Sequence, residues 1–423
     1  MTMVIHPFRA LRYNPDRVRL ADVVTQPYDK IDRRMQAAYY QKSPYNIVRV
    51  IKSRETDVRG DEGYVAAGRL WRQWIADGVL VREKEPAYFL CRQRFVVDGR
   101  SYVRHAVLGL LDLAHSNRVL AHERTLSGPR ADRLRLIRQT ESNDGLIFLL
   151  HRDRGGGLSD LARIVQGMSP LESTVDEYGA EHEVFALDSS RGSLLNGAFD
   201  HEDLIIADGH HRFAVALQFK QECEAKGWIP TSPESFDKRM VAIVEMTDPG
   251  LVILPTHRVV FGVPPYHLAS WEEKMAASFE RESVRDLDEL LPRLGASGPG
   301  SYGVFAEGDL AVWKRRQPPE AEELDVAILH KEILEKTLGI TEQQVAGETR
   351  VRYFREPGKA MEDVKLGNGQ MVFFLKPTRI EQVETCARRH EVMPQKSTDF
   401  FPKMLTGLLF MKMEMDKGPG RQE

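Results

Sequence analysis

Leu204-Ile205-Ile206-Ala207-Asp208-Gly209-His210-His211-Arg212-Phe213-Ala214-Val215-Ala216-Leu217 is the stretch on which the reading of this chain turns. Leu204 to Ala207 is an unbroken apolar run, the pattern of a buried strand. Asp208-Gly209 interrupts it. Phe213, Ala216 and Leu217 then return at helical spacing, which places His210, His211 and Arg212 on the first turn of a helix. Free backbone N–H groups and the positive end of the helix dipole favour an anion there. Two imidazoles and a guanidinium add donors suited to phosphate. Asp208 is placed to hold a metal or to orient a hydroxyl. The plain alternative is a surface turn with a solvated Arg and a hydrogen-bonded His, but four consecutive polar residues of this kind exceed what a turn requires.

Working outward, short strands and helices alternate through the first part of the chain. Asn46 to Lys52 reads as a strand and Gly63 to Asp77 as a helix, through Val65, Leu70, Trp71 and Trp74. Tyr88 to Val97 and Ser101 to Leu111 flank Asp98-Gly99, a hairpin signal. Gly155-Gly156-Gly157 is a break before a short helix. Strands follow at Met240 to Glu245 and Leu251 to Leu254, and Pro264-Pro265 reads as a boundary. Beyond it come helices at Leu268 to Glu282 and Leu287 to Leu294, and a hairpin of Tyr302 to Phe305 with Leu310 to Trp313. A strand at Met371 to Leu375 and a helix at Arg379 to Arg388 follow, and the end frays from Lys417. The expected division is 1–263, 264–390 and a segment 391–423 that returns to the site.

Three further constellations carry candidate chemistry. His122-Glu123-Arg124-Thr125 precedes Arg130, Asp132, Arg133 and Arg135. A carboxylate beside an imidazole can act as a general base, and arginines can clamp anions. For the arginines, a solvated helix with intrahelical ion pairs fits Asp132 to Arg138 better. Gln26-Pro27-Tyr28-Asp29 is a rigid turn that presents an acid. Met393-Pro394-Gln395-Lys396-Ser397-Thr398, ahead of Phe400, Phe401 and Lys403, either binds phosphate or caps a helix.

Composition narrows the classes. The chain has 423 residues, 42% of them hydrophobic, as expected for a globular protein of two or three domains or of one large elaborated one. No window approaches the ~18–20 continuous apolar residues of a membrane span. The N-terminus lacks a basic region followed by an apolar core, so no secretory signal is read. Three cysteines, Cys91, Cys223 and Cys386, lie far apart and without metal spacing, as in reduced cytoplasmic proteins. A net charge of −3 with intermixed signs argues against a nucleic-acid binder.

Five segments occur in a telling order. They are Gln26-Pro27-Tyr28-Asp29; Ala121-His122-Glu123-Arg124-Thr125 with Asp132-Arg133-Leu134; Ala207 to Arg212; Asp248-Pro249-Gly250-Leu251 with Leu254-Pro255-Thr256-His257-Arg258; and Met393 to Thr398. Together they resemble a widespread prokaryotic family filed as a domain of unknown function, often encoded beside serine-biosynthesis enzymes. The similarity runs from about Phe8 to Leu409. The central motif is also similar, over about ten residues, to that of the ParB/sulfiredoxin-like free-serine kinases, which use ADP.

The resemblance implies an α/β (α+β) fold with a ParB/sulfiredoxin-like core, large insertions and a C-terminal α/β portion. It implies that Gly209, His210, His211 and Arg212 bind phosphate and that Asp208 lies near the transferring group or its Mg²⁺. Glu123 is the first candidate for the base and Asp29 the second. From residue type, His122, Arg133, His257, Arg258, Lys396, Ser397 and Thr398 are expected to complete the site, with His257 and Lys396 sharing a pocket with the central turn. The resulting expectation is a cytoplasmic phosphotransferase or phosphatase for a small phosphorylated metabolite. Free serine or phosphoserine leads, with ADP, ATP or pyrophosphate and Mg²⁺; a homodimer is compatible with it. A regulatory nucleotide-binding protein and a metal-dependent hydrolase, with His210 or His211, His257 and Asp208 as ligands, are the alternatives.

Overall fold

A computed structural model describes residues 5–54, 60–123, 127–152, 161–195, 197–199, 202–319 and 323–418. The glycine break at 155–157, Arg124 and Thr125 lie outside them. The chain forms two compact units, one of residues 1–121, 125–252 and 402–423, the other of 122–124 and 253–401. Both segments of the second unit thus interrupt the sequence of the first. The mixed α/β class is the one expected.

The first unit is built on a mixed sheet of nine described strands. The hairpin Tyr88–Val97 with Arg100–Asp112 forms its middle, turning at Asp98-Gly99 as the sequence predicts. Lys238–Glu245 runs antiparallel to Arg100–Asp112 and parallel to Ile147–His151. Leu204–Asp208 then pairs antiparallel with Ile147–His151, with an irregularity between Ile206 and Asp208. Strands buried on both faces need apolar residues throughout, and Leu204 to Ala207 supply them. Leu149, Phe185, Ile206, Phe213 and Val241 meet in the core between sheet and helix.

Pro402 to Asp416 forms a strap over this unit. Thr406 exchanges backbone hydrogen bonds with Thr25, Phe410 pairs with Leu11, and Met411–Lys412 pairs with Ser142–Asn143. Leu405, Leu408, Leu409, Phe410 and Met411 are at most 2% exposed, so the strap is bound by apolar burial as well. Gly407, with φ of 109°, makes the turn; a Cβ there would lie 3.1 Å from Val24.

The second unit has a six-stranded sheet. Its order is Phe279–Ser283, Asp309–Arg315, Ser301–Ala306, Met371–Phe374, His257–Val260 and Val351–Phe354, every described pair antiparallel. Both faces are covered. Trp271, Tyr302, Trp313 and Leu329 pack on one, Leu290, Phe305, Val312 and Phe374 on the other.

Three expectations need correction. Asn46 to Lys52 is not a strand; Val48–Ile51 is a helical turn. The Asn46 side chain accepts from the Val48 N–H at 3.0 Å and donates to the Asp22 carbonyl at 2.8 Å, and these local bonds override the β preference of the run. The helix expected over Leu268 to Glu282 stops at Ser278, because Phe279–Ser283 joins the sheet beside Asp309–Arg315. On the helix Ser127–Thr140, Arg138 does not pair within its own helix but makes a bidentate contact with Glu222 on the helix His210–Ala225.

Candidate functional site

In the first unit the strand Leu204–Asp208 delivers Asp208 to the start of the helix His210–Ala225. Gly209 between them is left-handed (φ 99°, ψ 25°), and no side chain caps the helix. A Cβ at Gly209 would approach the Arg212 guanidinium at 3.2 Å, so both the angle and the space require glycine. Glycine at the cap position offers no side chain of its own to the first backbone N–H groups of the helix.

Asp208 lies between two cations. Arg212 Nη2 donates to its Oδ2 at 2.6 Å, and Lys403 Nζ to its Oδ1 at 3.2 Å. Arg212 Nη1 also donates to the Leu146 carbonyl. Arg212 and Lys403 are almost fully buried, as is His210; His211 is half-buried. Burial alone would raise the Asp208 carboxyl, yet Lys403, Arg212 and then Lys30 hold it well below the usual carboxylate range. Two cations at a helix N-terminus are the kind of setting that suits an anion.

The Pro27 turn belongs to the same unit. Tyr28–Lys30 is a 3-10 turn; Asp29 is exposed on it. Arg133 stacks on Tyr28 at 4.1 Å, pairs with Asp132 at 2.6 Å and donates to the Ile51 carbonyl at 2.7 Å. Lys52 donates to the carbonyls of Tyr28 and Ile31. Burial, then Asp29, push the Tyr28 phenol up to about 12, while Arg133 and Arg212 act against them. Tyr28, Lys52, Arg54, Tyr64, Asp132 and Arg133 line a cavity of about 500 Å³.

In the second unit three distant segments meet. His122 Nε2 lies 3.4 Å from Thr398 Oγ1, the Met393 N–H donates to the His122 carbonyl at 2.8 Å, and Glu123 bridges to Met393. Arg258 donates to the carbonyls of Thr256 and, at 3.0 Å, Lys396. Lys396 is left-handed, and the Ser397 carbonyl accepts from Thr378 Oγ1 at 2.7 Å. His257 is 1% exposed; its Nδ1 accepts from the Leu375 N–H at 3.3 Å and its ring packs on Phe374. Burial, then Arg258, push the His257 imidazole down to about 3. The guanidinium of Arg258 is therefore a clasp between backbone segments, and His257 part of the sheet core.

Seven of the fourteen residues expected at the site, Asp29, Arg133 and Asp208 to Arg212, thus belong to the first unit, and the other seven to the second. Lys403 was missed as a site residue. Its signal was a lone charge inside the apolar run Phe400-Phe401-Pro402-Lys403-Met404-Leu405. Among the described residues no group of three or more His, Cys, Asp or Glu could hold a metal ion. Asp208 offers only one carboxylate, with both oxygens already facing cations, so a resident Mg²⁺ does not fit this turn. Nor is any described helix long and apolar enough to cross a membrane.

Solved structures similar to the chain include a conserved hypothetical protein from Pyrococcus furiosus, at 14% identity and TM-score 0.37, covering 70% of this chain and 91% of that one. A free serine kinase in complex with ADP matches at 13% identity and TM-score 0.37, covering 69% and 85%. SbnI from Staphylococcus aureus, truncated at its C-terminus, matches at 11% and 0.37, covering 71% and 85%. No curated protein matches the chain. The family described as "Protein of unknown function (DUF1015)" matches residues 5–328, and the chain belongs to that family.

Proposed function

We propose that the Asp208 turn binds a phosphoryl group and that the protein transfers or hydrolyses it, as a phosphotransferase or phosphatase for a small metabolite. The observation that carries the reading is the pairing of Asp208 with Lys403 and Arg212 at an uncapped helix start behind a left-handed glycine. Phosphoryl transfer asks mainly for positioned cations and donors around the equatorial oxygens. Lys403, Arg212, His210 and His211 with the first N–H groups of the helix supply them, and Asp208 keeps the two cations in place. The cavity lined by Lys52, Arg54 and Arg133 receives the rest of the ligand. Free serine or phosphoserine is the leading substrate, on the likeness of the motif to that of free-serine kinases, with ADP, ATP or pyrophosphate as partner. Any Mg²⁺ arrives on the phosphates of that partner, as part of the substrate.

The base that takes the hydroxyl proton is Asp29. It shares the first unit with the turn, its neighbour Lys30 acts on the charge of Asp208, and Tyr28 responds to both Asp29 and Arg212. Glu123 is the rival. The test is ³¹P NMR of the purified protein with serine or phosphoserine, supplying ADP, ATP, pyrophosphate and Mg²⁺ separately. Appearance or loss of the phosphoserine resonance under one donor supports the reading. No phosphorus turnover under any of them, together with no binding of phosphoserine, ends it.

A further inference from the structure

A row of polar side chains crosses the otherwise apolar sheet of the first unit. His182, Gln93 and Arg104 sit side by side on three adjacent strands, in the registers His182 to Gln93 and Gln93 to Arg104. All three are 0% exposed. Buried polar groups left without partners are costly, so such a row persists only when its donors and acceptors are matched. Here they are matched in one direction only.

Arg104 can only donate, and it gives Nε and Nη2 to Gln93 Oε1 at 2.9 and 2.5 Å. The amide oxygen of Gln93 therefore faces Arg104, and its NH₂ must face the other way. That NH₂ donates to the Lys403 carbonyl at 3.1 Å and lies 3.0 Å from His182 Nδ1. Nδ1 is thus the acceptor, and the ring proton sits on Nε2, 3.1 Å from Asp176 Oδ2. Asp176 takes two backbone N–H groups on Oδ1, from Tyr178 and Ala180, and the Gln26 amide at 3.4 Å on Oδ2. Arg104 also donates to the Pro402 carbonyl. One end of the row therefore holds Pro402-Lys403, and the other holds the residue that leads into Pro27-Tyr28-Asp29-Lys30.

We propose that His182, oriented by Asp176, is a positioning residue: its Nε2-protonated ring, opposite Arg104, holds Gln93 on the Lys403 carbonyl and so registers the Lys403 ammonium on Asp208. It rests on the reading of the Asp208 turn as a phosphate site. His182 touches no ligand, and it acts through Gln93 and the strap.

Two kinds of measurement decide it. In ¹⁵N-histidine spectra of the wild-type protein, His182 carries its proton on Nε2 with a bare Nδ1; the opposite tautomer, or a doubly protonated ring, overturns the proposal. Phosphoserine affinity by calorimetry is then compared across Lys403→Met, His182→Leu and His182→Gln, each checked for native circular dichroism. Glutamine can donate to Asp176 and accept from Gln93, so His182→Gln keeps affinity within about threefold, whereas His182→Leu loses ~10-fold, the scale of a lost hydrogen bond to a charged group. The backbone amides of Met404 and Thr406 shift in His182→Leu and stay in place in His182→Gln. Equal affinity and unmoved amides in a folded His182→Leu protein overturn the proposal. If Lys403→Met itself leaves affinity intact, the phosphate reading falls, and the tautomer and the amide shifts still decide the role of His182.

Discussion

Asp208 in the first unit and Arg258 in the second are both enclosed charges, yet Asp208 faces two cations while the hydrogen bonds of Arg258 go to carbonyl oxygens. The difference shows in their ionisation. Asp208 is held well below the usual carboxylate range against the pull of burial, whereas burial pushes the Arg258 guanidinium down to about 10. A carboxylate between cations is a charge arrangement that a phosphate can extend. A guanidinium whose Nη atoms donate to main-chain oxygens fastens loops. Sequence alone gives both residues the same look, a charged group just after or within an apolar strand.

The comparison is tested hardest by removing each charge. Asp208→Asn leaves Lys403 and Arg212 facing each other without their anion, and should cost about 3–5 kcal/mol in urea unfolding, the scale for breaking a buried pair. A loss below about 1 kcal/mol would mean that water reaches the two cations freely and that the turn is no enclosed charge cluster. Next in size is chemistry. Asp29→Asn should lower turnover at least ~100-fold and leave phosphoserine affinity within a few-fold, while Glu123→Gln changes turnover less than Asp29→Asn does. The reverse ranking in steady-state kinetics would make Glu123 the base in place of Asp29. Arg258→Met removes hydrogen bonds to two carbonyls and no ion pair, so about 1–3 kcal/mol is expected from the same unfolding measurement. Equality with Asp208→Asn would erase the contrast drawn above.

A further contrast is one of pH. His257 and His330 are each pushed down to about 3, by burial first and then by Arg258. Below pH ~6.5 the unfolded chain takes up protons that the folded second unit refuses, so stability falls as pH drops from there toward about 3. Asp208 has the opposite timing: its contribution is complete above pH ~4 and is lost only as pH falls further, toward its depressed folded value. Urea midpoints should therefore decline between pH ~6.5 and ~4, and His257→Asn, which can still accept from the Leu375 N–H, should flatten that decline. Asp208→Asn should leave the slope in this window unchanged.

Where local chemistry and tertiary structure agreed, the chain could be read directly. The run Leu204 to Ala207, the break at Asp208-Gly209 and the helix after it all express one pattern, because a doubly covered strand must be apolar and only glycine tolerates the left-handed turn. The hairpin at Asp98-Gly99 was legible for the same reason. Asn46 to Lys52 misled because the Asn46 side-chain bonds to nearby backbone and the burial of Val48, Val50 and Ile51 outweighed β-branched propensity. Lys403 and the row from Asp176 to Arg104 were out of reach, since their meaning depends on pairings between residues far apart in sequence. The His182–Gln93 contact spans 89 positions and the Lys403–Asp208 contact 195.

The strap of Pro402 to Asp416 carries a consequence for synthesis. On the ribosome the strands of the first unit emerge early, but Lys403, and the partners of Thr25 and Leu11, emerge only after residues 253–401 have been made. The nascent chain thus holds an Asp208 turn with Arg212 but without its second cation for the whole of that interval. Fragments released before residue 403 keep Arg212 on Asp208 but lack Lys403, so the full charge cluster exists only in chains whose translation has passed the strap.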